Sequence, residues 1–213
     1  MQTHYPFDPS PLPYDYVALL PYCDPDTLYL HHKNIYGQNI DMLNYLLSSY
    51  PQYHGWTPEE LINGTLAIHP QQERLIQNFA GSLYNHTLYF DGLSHQQTSP
   101  HGALYQTLRD RYGSIDNFRK LFLQAAHNVL GSGWVWLNSD QTGNVHIAIT
   151  PDNKIPSIES VTPIFVADVW EHAYYLRYPA NLAEYLNAWF STLDWEKAEQ
   201  RFLASLSTTQ DEP

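Results

Sequence analysis

The run Pro163-Ile164-Phe165-Val166-Ala167 reads as a buried strand, and it runs straight into Asp168, with His172 four residues further on. A strand of this composition is normally covered on both faces. An ionisable carboxylate at its end is costly there unless something neutralises it. A metal cation would do so, with His172 as a second ligand; an Asp–His hydrogen bond gives the same spacing. A metal would require the fold to carry further ligands to this strand end from elsewhere in the chain.

The rest of the chain divides into two unlike halves. Pro6 to Pro13 is a proline-rich arm that cannot be helical, closing on Leu12-Pro13-Tyr14. Asp24-Pro25-Asp26-Thr27 supplies acidic and capping residues ahead of a long helix expected over Leu28 to Ser49. On that helix His31, Ile35, Asn39 and Met42 fall on one face at steps of four, four and three. Thr57 caps a short helix with Pro58 in its first turn, and a second long helix is expected over Gln71 to Leu93. Helices follow over Gly102 to Tyr112 and Ser114 to Leu130, stopped by Gly131-Ser132-Gly133. Strands are expected at Trp134–Leu137, Val145–Ile149 and Ile164–Ala167, the first two joined by the hairpin loop Asn138–Asn144. Helices resume over Asn181 to Phe190 and Trp195 to Leu206, and Ser207 to Pro213 is expected to fray. The fold class is therefore α+β: an N-terminal hairpin of long helices (1–95), then an α/β part with a small three-stranded antiparallel sheet (96–213), with a metal site between them.

Composition narrows the partners. A formal charge of −12 argues against nucleic acid and anionic membranes, and no apolar stretch is long enough to span a bilayer. The polar start of the chain holds no secretory h-region, and Cys23 stands alone, so a cytoplasmic protein is expected.

Two histidines complete a ligand set. His31 lies on the first long helix, and His86, within Asn85-His86-Thr87, on the second. Either alone reads as an ordinary core or surface histidine. With Asp168 and His172 they make three nitrogens and one oxygen, a set that suits iron, manganese or zinc with room for a solvent ligand. Along nearly its whole length the chain resembles the iron/manganese superoxide dismutase family. The pieces that carry the resemblance are Leu12-Pro13-Tyr14, His31, Asn85-His86-Thr87, the block Gly131 to Leu137, the block Asp168-Val169-Trp170-Glu171-His172-Ala173-Tyr174-Tyr175, and Asp194-Trp195. The resemblance implies a superoxide dismutase with one iron or manganese ion per subunit, ligated by His31, His86, Asp168 and His172. It also implies that Trp134 and Trp170 wall the cavity and that superoxide is the substrate. A homodimer is implied too, with Glu171 bonding the ligand His172 of the other subunit and Tyr175 at the same interface.

Several positions depart from the family's pattern. Four and eight residues after the first ligand, where the family sets a gate of His and Tyr, this chain has Ile35 and Asn39. Tyr36 is about 100° round the helix and cannot simply replace them. The glutamine that bonds the metal-bound solvent in the family has Ser82 at one of its two possible positions and Asn153 at the other. An Asn is shorter by roughly 1.5 Å, so a direct contact becomes water-mediated or vanishes. Lys33 and Arg177 are the nearest basic residues for drawing in an anion. A reduced or altered dismutase activity is expected. The alternative is a metal-binding relative without significant activity, in a structural or interaction role. A hydrolytic zinc enzyme has less support, because no spare Glu or His stands out as a general base.

Overall fold

A computed structural model describes residues 3–207; the expected fraying of the C-terminus lies, beyond Ser207, outside the described residues. Asp24 caps the first helix by accepting from Thr27 N, so that helix begins earlier than expected. It runs as α1 (Pro25–Tyr29), a π-helical segment (Leu30–Tyr36) and α2 (Gly37–Leu47) without a break. The wide turns of the π segment displace the helical face anticipated from an α period. From the π segment onward the buried residues are His31, His32, Tyr36, Gly37, Ile40, Leu43 and Leu47, whereas Met42 is 43% exposed and leaves the face expected for it.

Thr57 and Glu60 form a reciprocal capping box at α3 (Pro58–Asn63), with Pro58 in its first turn. The second long helix, α4 (Pro70–Asp91), packs against α2, against the π segment and against the sheet. After α5 (Gly102–Tyr112) and α6 (Ile115–His127) come three strands, β1 (Gly133–Asp140), β2 (Val145–Pro151) and β3 (Val161–Asp168). All three run longer than their apolar cores suggest, and β1 takes in Asn138 to Asp140, residues expected in the hairpin loop. The sheet is antiparallel in the order β2-β1-β3. Pro163 lies on the edge strand β3, and a bulge opposite Leu137/Asn138 accommodates the extra residue. α7 (Leu182–Thr192) and α8 (Trp195–Ser207) close the C-terminal part. A helical hairpin followed by an α+β unit with a three-stranded antiparallel sheet is the architecture expected from the sequence.

Candidate metal centre

The antiparallel register sets Trp134 opposite Asp168, so both side chains leave the sheet on one face. α4 crosses that face and presents His86, and the π segment presents His31. The chain then turns through a short 3-10 helix, Glu171–Ala173, which brings back His172. Three imidazole nitrogens meet on one carboxylate oxygen. His31 Nε2 stands 3.1 Å from Asp168 Oδ2, His172 Nε2 3.2 Å and His86 Nε2 3.8 Å. One potential ligand atom from each residue lies within 4.8 Å of every other. Ligands about 2.1 Å from a common ion stand roughly 3 to 4 Å apart, so this spacing fits a single ion.

The chemistry of the donors points the same way. His31 Nε2 and His86 Nε2 are buried and make no hydrogen bond, which is costly for a polar atom without a partner of another kind. The His86 tautomer follows from its surroundings: Nδ1 is 2.8 Å from the Ser82 carbonyl, which can only accept, so Nδ1 carries the proton and Nε2 keeps its lone pair. Burial pushes His86 down to about 3, and burial pushes His31 down to about 4 against the opposing pull of Asp168, so both rings are neutral, the form in which an imidazole can bind a cation. Asp168 is wholly buried, and burial would raise its pKa. The charge of His172 and its hydrogen bond, helped by His31, outweigh that and hold the carboxyl well below its usual range. Its other oxygen, Oδ1, accepts from Trp170 N at 2.8 Å. The residues present therefore fit a bound cation.

Aromatic rings enclose the cluster. Trp134 stands edge-on to His86 at 5.0 Å between centroids, and Trp170 lies 5.6 Å from His172. With its amide oriented to satisfy both neighbours, Asn85 accepts from Trp134 Nε1 at 3.0 Å and donates to the Gly81 carbonyl. Only the His172 side chain, 21% exposed, opens the group toward solvent. Two rings, Tyr89 and Phe90, escaped the sequence reading, and a third, Tyr36, stands at the centre although the α period turned it away. Tyr36 stacks on His86 at 5.5 Å, while Tyr89 and Phe90 lie 5.1 and 4.9 Å from His31. Tyr89 and Phe90 stand three and four residues after His86, a spacing that could have revealed them. Tyr36 was hidden by the π turn; its hydroxyl is taken up by Thr87 Oγ1 and by Ser10 N, so the ring but not the hydroxyl serves the centre.

The departing positions are placed as follows. Asn39 Nδ2 donates to Ser82 Oγ at 2.8 Å, and Ser82 Oγ is 3.2 Å from His86 Nδ1. Asn153 is buried with its amide 3.4 Å from Asn78 Oδ1 and its carbonyl pressed against Gly81. Ile35 is half-buried. Glu171 and Tyr175 are exposed, Tyr175 at 55%. Arg177 is tied to the Pro21 carbonyl and the Tyr178 hydroxyl, and Lys33 is exposed. Among the described residues no helix is long and apolar enough to cross a membrane.

Comparison with known proteins agrees with this geometry. Residues 6–94 match the family profile described as iron/manganese superoxide dismutases, alpha-hairpin domain, and residues 100–201 match the corresponding C-terminal domain. The chain is similar to a manganese superoxide dismutase of Thermus thermophilus, 36% identical over 93% of this chain and 98% of that one. It is also similar to manganese superoxide dismutase 1 of Leptolyngbya boryana, 36% identical over 91% and 79% of the two chains. A manganese superoxide dismutase of Pseudomonas putida is 33% identical over 92% and 96%.

Proposed function

The chain belongs to the iron/manganese superoxide dismutase family, and on that premise we propose that it converts two superoxide ions and two protons to dioxygen and hydrogen peroxide at one iron or manganese ion per subunit. Membership makes it an oxidoreductase of the superoxide dismutase type. The observation that carries the reading is the convergence of three imidazoles on Asp168 Oδ2, two of them buried with no hydrogen bond on the converging nitrogen. When bound, the ion supplies the one-electron chemistry, accepting an electron from one superoxide and giving it to the next. His31, His86 and His172 would hold it through their converging nitrogens, and the Asp168 charge, fixed by Trp170 N, would bias it toward the higher oxidation state. Trp134, Trp170 and Phe90 keep bulk water off the ligands. The manganese in the relatives' names favours that ion over iron.

Ile35 and Asn39 supply no ionisable group near the centre, since an alkyl chain carries no proton to give and an amide does not titrate. Turnover is therefore expected to fall well short of the diffusion ceiling. Superoxide decay measured on the protein loaded separately with iron and with manganese tests this. Measurable turnover with either ion supports the proposal, and near-zero turnover at full occupancy sinks it. That second outcome would favour a metal-binding relative with a structural or interaction role, a reading to which the commitment of Asn39 to Ser82 lends support.

The proposal includes a cytoplasmic homodimer built through Glu171 and His172. Glu171 is exposed right beside the ligand His172, and Tyr175 and Leu176 (61% exposed) follow it. The Glu171–Ala173 turn packs against α1, whose Tyr29 and the next residue, Leu30, are also exposed apolar side chains. Light scattering is expected to find a dimer that Glu171→Ala dissociates. A monomeric protein with full metal content would contradict it.

A further inference from the structure

The two departures at Asn39 and Ser82 come from distant parts of the chain, yet the fold joins them. Asn39 Nδ2 donates to Ser82 Oγ at 2.8 Å, tying α2 to α4 in the turn that precedes His86. Ser82 is completely buried. His86 Nδ1–H points at the Ser82 carbonyl at 2.8 Å, with Ser82 Oγ at 3.2 Å from the same nitrogen. One imidazole proton therefore faces two oxygens of one residue. The second of these, on a rotatable side chain, is held in place by Asn39.

The geometry points to Asn39 and Ser82 as a positioning pair that acts through His86 Nδ1 to set the grip of His86 on the bound ion. The inference rests on the reading of His31, His86, Asp168 and His172 as metal ligands. Two acceptors on Nδ1–H fix the ring plane and make Nε2 a stronger donor. Asn39 lends its amide to Ser82 and not directly to substrate, so its part is to stop the hydroxyl from rotating away. A stronger Nε2 donor stabilises the higher oxidation state of an ion more than the lower one.

Manganese-loaded protein challenged with EDTA tests this in four variants. Ser82→Ala and Asn39→Ala are each expected to weaken manganese retention about tenfold. The double variant is expected to be no worse than the weaker single one, because both act on one proton. Ser82→Thr, which keeps the hydroxyl, should restore wild-type retention. The midpoint potential is expected to rise in both alanine variants, by about 59 mV if the oxidised ion loses tenfold more affinity than the reduced one. Additive losses, or variants with unchanged retention and potential beside a wild type that holds manganese, would overturn the pair alone. A wild type that takes up neither manganese nor iron would overturn the metal centre and this inference with it.

Discussion

Burial pushes His31 down to about 4 and His86 to about 3, against 6.5 for a free imidazole. In metal-free protein this has a definite sign. Between about pH 6.5 and about pH 4 the unfolded chain binds protons that the native chain does not, so stability is full above that window and falls as the pH drops through it. Each histidine contributes a fall of about 1.4 kcal/mol per pH unit there. Asp168 is also depressed on folding, but its share is lost only below the usual carboxylate range. Urea unfolding of chelator-treated protein at about pH 7.5, 6 and 5 is expected to show a midpoint that drops steadily with unchanged slope. A flat midpoint would mean that these rings are already charged in the folded state. At this scale the four converging side chains could be picked out from the sequence, because few residue types bind a cation and the motifs around them resemble those of the family. Tyr36 could not be read, because its place depends on one residue's worth of helical turn.

At the scale of the element, the π segment carries two adjacent histidines that serve different partners. His31 turns to the centre while His32 bridges the arm, with Nε2 2.8 Å from the Ser10 carbonyl and Nδ1 3.1 Å from the Tyr16 hydroxyl. Helices and strands were readable from period and caps, as Thr57 with Glu60 illustrates, since such signals are local. The π turn has no comparable signal. A second element-level contact lies at Gly81, where the loop after β2 presses on α4. A Cβ added there would meet Asn153 O at 2.1 Å, and this backbone oxygen cannot swing aside as a side chain would. Gly81→Ala is expected to cost about 1 to 3 kcal/mol in denaturant unfolding. Unchanged stability would show that the loop after β2 yields freely.

Over the whole molecule, the centre lies where helical hairpin and sheet meet, and the N-terminal arm is strapped across the hairpin. Asn44 accepts from Phe7 N and donates to Phe7 O, both at 2.8 Å, so one amide makes a strand-like pair with the arm. Ser10 meets Tyr36 and His32 beyond it. Asn44→Ala is expected to lower stability by about 2 kcal/mol, from two lost hydrogen bonds, with metal content preserved. Loss of metal together with the arm would show that the strap holds the centre directly. The C-terminal part is secured differently, by a cluster of rings in which Phe122 stacks on Trp189 at 5.6 Å and Phe165 meets Trp195 at the same separation. Phe122→Ala should cost about 3 to 5 kcal/mol in the same unfolding experiment.

The amino-acid sequence alone was enough for the order of helices and strands, the four side chains that the fold brings together and the resemblance that relates them. Those properties depend on side-chain type and short-range spacing, which a linear chain carries in full. The meeting of Asn39 with Ser82, the stacking of Tyr36 on His86 and the engagement of Asn153 with Asn78 were decided by the tertiary structure. Each of these depends on how helices and loops distant in the chain are rotated against one another, to within a fraction of a turn. That rotation comes from packing the whole core.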